Sequence, residues 1–150
     1  MPKEDIHNKI KLLVEEANAS GIYKFGVDAS IKNGTKVLVL RRKKGDALPG
    51  MYVIPGGAVE DGETLEHALE REVTEETGLH VKNILEYLLY FDIELNGTGK
   101  IRIFVFSVDA DIIEVKLTEH DDYKWISRDQ PDTLPTTKEM RIVLESILVV

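Results

Sequence analysis

The sequence predicts an α/β domain in which helices cover both faces of a sheet, and three observations lead there. Two pairs of strand-type runs are each joined by a turn containing an Asn-Gly step, Lys32-Asn33-Gly34-Thr35 and Asn96-Gly97-Thr98-Gly99. The run Ile101-Arg102-Ile103-Phe104-Val105-Phe106 is apolar on both faces after its start, which suits a strand covered on both sides. Helical periodicity appears before, between and after these strands.

In chain order, residues 4 to 19 read as an amphipathic helix with Ile6, Ile10, Leu13 and Ala17 on one face and Gly21 breaking it. Strands over 22–31 and 36–42 form the first hairpin. The second of these, Lys36 to Leu40, runs into Arg41-Arg42-Lys43-Lys44, a basic run that is either a solvated loop or a clamp for phosphate. A short apolar strand then meets Pro55-Gly56-Gly57, a turn signal, and a helix follows, with Thr64 placed to cap it and Gly78 to end it in a left-handed conformation. Strands at about 81–95 and 100–109 make the second hairpin. A short strand around Tyr123 to Ile126 and a helix from Thr137 to Leu148, with Met140, Val143, Leu144 and Ile147 inward, complete the elements. Trp125 is expected in the core, with base stacking as the alternative, and Tyr23 and Phe25 carry the same two readings.

The chemistry is concentrated in the middle helix. Leu65, Ala68, Leu69 and Val73 form its core stripe, yet Glu72 and Glu76 fall inside that stripe, at about −20° and +20° from Leu65 when each residue turns by about 100°. Glu75 lies at its edge. The solvated arc already holds His67, Glu70 and Thr74. Two carboxylates one turn apart in a desolvated surround repel, and a divalent cation between them is the simplest relief. An all-oxygen set points to magnesium, with manganese as the alternative, and away from a calcium cage. Zinc is disfavoured, because the chain has no cysteine and its four histidines show no ligand pairing at metal-binding spacing. Backbone N–H groups of the glycine turn and the helix start are suited to an anionic ligand whose phosphates reach such cations.

The order Gly57, five residues, Glu63, seven residues, Arg71-Glu72-Val73, one residue, Glu75-Glu76, one residue, Gly78-Leu79 resembles the Nudix box at every specified position. The approach from Tyr52 to Gly57 is also similar, with tyrosine where the family commonly has tryptophan. The resemblance implies an α/β/α sandwich with a mixed sheet. It also implies hydrolysis of a nucleoside diphosphate linked to another moiety, with water attacking one phosphorus and magnesium stabilising the leaving group. On this reading Gly56, Glu72, Glu75 and Glu76 hold the metal, and Glu75 and Glu119 share the candidacy for general base. Arg71, four residues before Glu75, orients it, and Glu63 is structural. Arg41 and Arg42 are the candidates for substrate contact, Arg42 being favoured by its spacing to Pro55. Glu119 is nominated against the alternative that Glu119, Asp121 and Asp122 form a solvated acidic loop.

Side motifs outside the box are missing: no downstream proline of the ADP-ribose type, no upstream coenzyme A pattern, and no tyrosine at the diadenosine polyphosphate spacing. The expected substrate is therefore a (d)NTP or oxidised dNTP, cleaved to the monophosphate and pyrophosphate. A nucleotide sugar or ADP-ribose is the alternative among enzymes, and a nucleotide-sensing module without turnover is the alternative outside them.

Composition agrees with one domain over residues 1–150: 43% hydrophobic residues fill a core and 31% charged residues keep it soluble. A net charge of −8 argues against a nucleic-acid polymer as partner but permits a nucleotide whose charge is neutralised by metal. No signal-peptide core and no apolar run of bilayer length is present, so no membrane partner is expected, and the cytoplasm is the default compartment. The apolar end Ile147-Leu148-Val149-Val150 suits a homodimer contact or closure of this chain's own core equally.

Overall fold

The computed structural model describes residues 5–148. Helix α1 spans Ile6–Ala19, begins where the Asp5 carboxylate accepts from the N–H groups of His7 and Asn8, and buries Ile10, Leu13 and Ala17. Strands β1 (Lys24–Asn33) and β2 (Lys36–Arg42) follow. Their turn sits one residue later than the Asn-Gly step suggests: Asn33 pairs with Lys36, leaving Gly34-Thr35 as the two-residue loop. Gly34 takes φ 65°, so glycine serves the first loop position, where a side chain would be strained.

Short strands β3 (Tyr52–Val53) and β4 (Gly56–Ala58) lead into helix α2, Leu65–Thr77. Thr64 accepts the His67 N–H at 3.1 Å, and Gly78 ends the helix at φ 74°. Thr64→Ala is expected to cost about 1 kcal/mol, read as a lower urea midpoint with an unchanged slope. Strands β5 (Val81–Glu94) and β6 (Lys100–Ala110) form the second hairpin, and β7 (His120–Ile126) starts three residues earlier than the sequence suggests. Pairing with β2 extends β7 back to His120, across a bulge at Arg41/Arg42, and that tertiary contact leaves no local sequence signal. Helix α3 covers Lys138–Ile147, capped by Thr137.

The strands form a mixed sheet in the order β3-β2-β1-β6-β5, with β4 also paired to β1 and β7 to β2. The pair β1·β6 is parallel, with Lys24 opposite Ile101, while the other pairs are antiparallel. Alternation along two strands shows the double covering directly. Leu38, Leu40, Phe104 and Phe106 pack with α1 and α2, whereas Val37, Val39 and Val105 pack on the opposite face with Met140, Val143, Leu144 and Ile147 of α3. This is the α/β/α arrangement the sequence implies. Ile101 and Ile103 depart from that burial, because the start of β6 lines a cavity. Trp125 and Phe25 pack partly against the α1/α2 core, while Tyr23 is exposed. Ile147 and Leu148 close the α3 side of this chain's own core, and Val149 and Val150 lie outside the described residues.

Among the described residues, no helix is long and apolar enough to cross a membrane.

Candidate active site

The site is assembled where β4 crosses β1 and α2 packs over both. β4 supplies backbone and almost no side chain, and that is its use. A Cβ on Gly57 would lie 2.5–2.6 Å from the Glu72 carboxylate, and one on Gly56 would lie 2.1 Å from Asp28 Oδ1 and 2.2 Å from the Val27 carbonyl oxygen. The paired glycines therefore let two carboxylates from different elements approach one stretch of backbone. Gly57→Ala is expected to fold, since the clash is with a flexible side-chain end. It should push Glu72 aside and weaken binding of divalent manganese by about tenfold, checked by titration of free Mn²⁺.

On α2 the three glutamates differ sharply. Glu76 is buried, and its Oε1 accepts the Gly56 N–H at 2.7 Å. The Glu72 side chain is 14% exposed, and that of Glu75 is 53% exposed. Burial pushes the Glu76 carboxyl up to about 8, reinforced by Glu72, Glu119 and Asp28 and opposed by the Gly56 hydrogen bond. Glu72 is raised by the same desolvation despite the Arg71 guanidinium beside it. The Glu119 charge bears on both Glu72 and Glu76, so the loop before β7 comes close to the box helix. Asp28, opposite Gly56 on β1, is pushed up to about 8 by burial and by Glu72. Sequence reading missed it; the available signal was a lone charged residue inside the otherwise uncharged run Phe25 to Ile31.

Arg71 is the hub of the local charge network. It grips Glu63 with two hydrogen bonds, of 2.8 and 2.9 Å, and donates to Glu72 Oε1 at 2.9 Å, to the Ala58 carbonyl at 3.1 Å and to Glu75 Oε2 at 3.3 Å. Helical spacing alone points to Glu75; the structure makes Glu63, from the loop before the helix, the principal partner. That guanidinium holds the Glu63 carboxyl down at about 2. Glu75 is further tied through its backbone carbonyl, which accepts from Thr118 at 2.7 Å.

Above the carboxylates opens a cavity of about 650 Å³. Its lining includes Glu76, Asp28, Arg42 and His120, the aliphatic side chains of Leu48, Ile93, Ile101, Ile103 and Met140, and the acidic residues Asp92, Glu94 and Glu139. The two arginines at the end of β2 separate: Arg42 lines the cavity and donates to the Ala47 carbonyl, whereas Arg41 pairs with Asp121 at 2.7 Å. Asp122 accepts from the Tyr52 hydroxyl at 2.9 Å, so the tyrosine that replaces the family's tryptophan ties β3 to β7. The acidic run after Glu119 is thus engaged in pairing rather than left as a free loop.

Among the described residues, no three histidine or carboxylate side chains form a ready-made metal cage. The physical reason lies in the donors just described: the Gly56 N–H draws Glu76, and Arg71 draws Glu72 and Glu75 outward. The donor chemistry nonetheless fits a hard divalent cation. Glu72, Glu76, Asp28 and nearby Glu119 crowd negative charge into a partly desolvated place, and the Arg71 guanidinium pairs with Glu72 alone among them.

A family model, the NUDIX domain, matches residues 23–147. The chain belongs to the Nudix hydrolase family. Among curated Nudix relatives, the ADP-ribose pyrophosphatase of Methanocaldococcus jannaschii is 38% identical over 100 residues, a match covering 65% of this chain and 56% of that protein. The NAD-capped RNA hydrolase NudC of Vibrio parahaemolyticus is 36% identical over 102 residues, covering 66% of this chain and 38% of that one. The chain thus spans only about half or less of the length of these relatives. Among solved structures, the MutT protein of Methanosarcina mazei Go1 superposes with a TM-score of 0.73 at 29% identity, covering 84% of this chain and 93% of that one. The MutT Nudix hydrolase of Burkholderia pseudomallei gives 0.68 at 28%, covering 82% and 96%.

Proposed function

We propose that this Nudix chain, acting as one domain, is a divalent-metal-dependent hydrolase that cleaves the diphosphate linkage of a (d)NTP or oxidised dNTP, giving the monophosphate and pyrophosphate. The observation that carries this reading is the mixed lining of the cavity, which brings Glu76, Asp28 and Arg42 together with Leu48, Ile93, Ile101, Ile103 and Met140. Such a lining suits a ligand that has both an anionic chain, met through a cation and Arg42, and a flat apolar base. Glu72, Glu75 and Glu76, with the Gly56 carbonyl, would hold magnesium, or manganese in its place. A cation so held supplies charge neutralisation at phosphoryl oxygens. Arg42 contributes a planar donor for a phosphate oxygen, with Arg41 the less favoured candidate because Asp121 already engages it. Glu75 and Glu119 are the candidates to accept a proton from attacking water, being the exposed carboxylates beside the buried pair. Arg71 orients Glu72 and Glu75.

The name of the archaeal relative, an ADP-ribose pyrophosphatase, favours ADP-ribose or a nucleotide sugar as the second reading. The purified protein should be incubated with magnesium and a panel of NTPs, oxidised dNTPs, ADP-ribose and nucleotide sugars, with the products resolved. Pyrophosphate release from a triphosphate is the expected result. Sugar phosphate with a monophosphate would install the second reading, and nucleotide binding without turnover in magnesium or manganese would replace both with a sensing module.

A further inference from the structure

His120 is a buried side chain that none of the roles above uses. It opens β7 opposite Arg42 of β2, lines the cavity, and is only 6% exposed at its side chain. Its Nδ1 is enclosed and has no hydrogen-bond partner. Buried ring nitrogens are rarely left that way, so the neighbour that would satisfy this one is informative. Arg42 has no lone pair to offer. The carboxylate within reach is Glu76, whose Oε2 stands 3.6 Å from Nδ1 and whose side chain is 7% exposed. Its other oxygen already accepts the Gly56 N–H at 2.7 Å.

We propose that His120 is a positioning residue for Glu76: Nδ1 carries a hydrogen and donates it to Oε2, so that the carboxylate is held from two sides, by the Gly56 N–H and by the imidazole. The metal-ligand role of Glu76 on which this builds is the reading given above. Neutral or charged, the ring can carry a hydrogen at Nδ1, so the contact does not depend on its titration. A small rotation closes the gap. Two donors then fix the carboxylate plane and leave its remaining lone pairs aimed at a cation, as supporting hydrogen bonds do around ligands in general.

Two measurements test this. The first is the ¹⁵N–¹H correlation spectrum of the histidine rings in metal-free protein at pH 9, above the range in which the Glu76 carboxyl holds a proton of its own, with the His120 signals identified by their loss in His120→Asn. A protonated Nδ1 is expected, and an unprotonated Nδ1 overturns the proposal. The second is Mn²⁺ affinity, read from the electron paramagnetic resonance signal of the free ion. His120→Leu should weaken it at least tenfold. His120→Asn, whose amide nitrogen falls near the Nδ1 position, should stay within about threefold of the parent, and His120→Gln, whose amide falls near Nε2, should resemble the leucine variant. Affinity in His120→Leu within twofold of the parent, or an asparagine variant no better than leucine, also overturns the proposal. Failure of the parent protein to bind Mn²⁺ would instead sink the functional reading, and the ring spectrum would then decide the His120–Glu76 contact alone.

Discussion

Replacing Glu76 with glutamine is expected to reduce turnover at least a hundredfold while leaving a folded protein that, without metal, is more stable than the parent. Glutamine keeps the size of the side chain and an oxygen to accept the Gly56 N–H, so the packing between α2 and β4 survives. What disappears is a buried negative charge that Glu72, Glu119 and Asp28 all disfavour. The sign follows from the raised carboxyl: in the folded parent it titrates at about 8, against 4.5 for an unperturbed glutamate. The folded state therefore binds more protons than the unfolded one, and this group's contribution to stability falls as pH rises through that interval. Thermal melts of both proteins in chelator across the interval should show the parent losing ground and the variant not. Magnesium should then raise the melting temperature of the parent more than that of the variant. Retained activity in the glutamine protein would remove Glu76 from the metal site.

The second large effect is expected at Arg71. Arg71→Ala removes both hydrogen bonds to Glu63 and those to Glu72, Glu75 and the Ala58 carbonyl, and strands a Glu63 side chain that is only 6% exposed. A cost of about 3 kcal/mol is expected, with activity falling further than stability because Glu72 loses its orienting partner. Arg71→Lys should not rescue it, since an ammonium cannot reproduce the forked pair. There is an acid signature too. Glu63 titrates at about 2 in the folded protein against an unperturbed 4.5, so its stabilisation is complete above the higher value and is lost as pH falls toward the lower one. In the alanine variant this part of the acid-side slope should vanish, measurable as urea midpoints over that range; an unchanged slope would show that the pair contributes little.

The elements were readable where local chemistry decides them. Thr64 and Gly78 bracket α2 because capping needs only neighbouring residues, and the two glycine turns mark their hairpins for the same reason. The double-sided burial of Phe104 to Phe106 reached the sheet's covering from composition alone. Long-range pairing left no such trace. The start of β7 at His120 depends on β2, and the partner choice of Arg71 depends on a loop residue outside the helical repeat that suggested Glu75. In the site, the inward angles of Glu72 and Glu76 were legible because a helix fixes them. Asp28 was not, since a strand residue acquires meaning only when its opposite, Gly56, is known. His120 stood in view beside Glu119, but its burial against Glu76 is a property of assembled layers.

The parallel pairing of β1 with β6 bears on the order in which this protein can be made. As the chain leaves the ribosome, β1, its hairpin partner β2, the glycine strand and the box helix are all synthesised before β6 exists, yet β6 takes the long flank of β1 from Lys24 to Ile31. Until then β1 has an unpaired edge made of some of the most deeply buried residues of the molecule, and closing it joins segments far apart in sequence. A chain that ends just after Leu79 carries every residue of the box but presents a sticky strand instead of a folded site, so such a fragment is expected to aggregate where one reaching Ala110 does not.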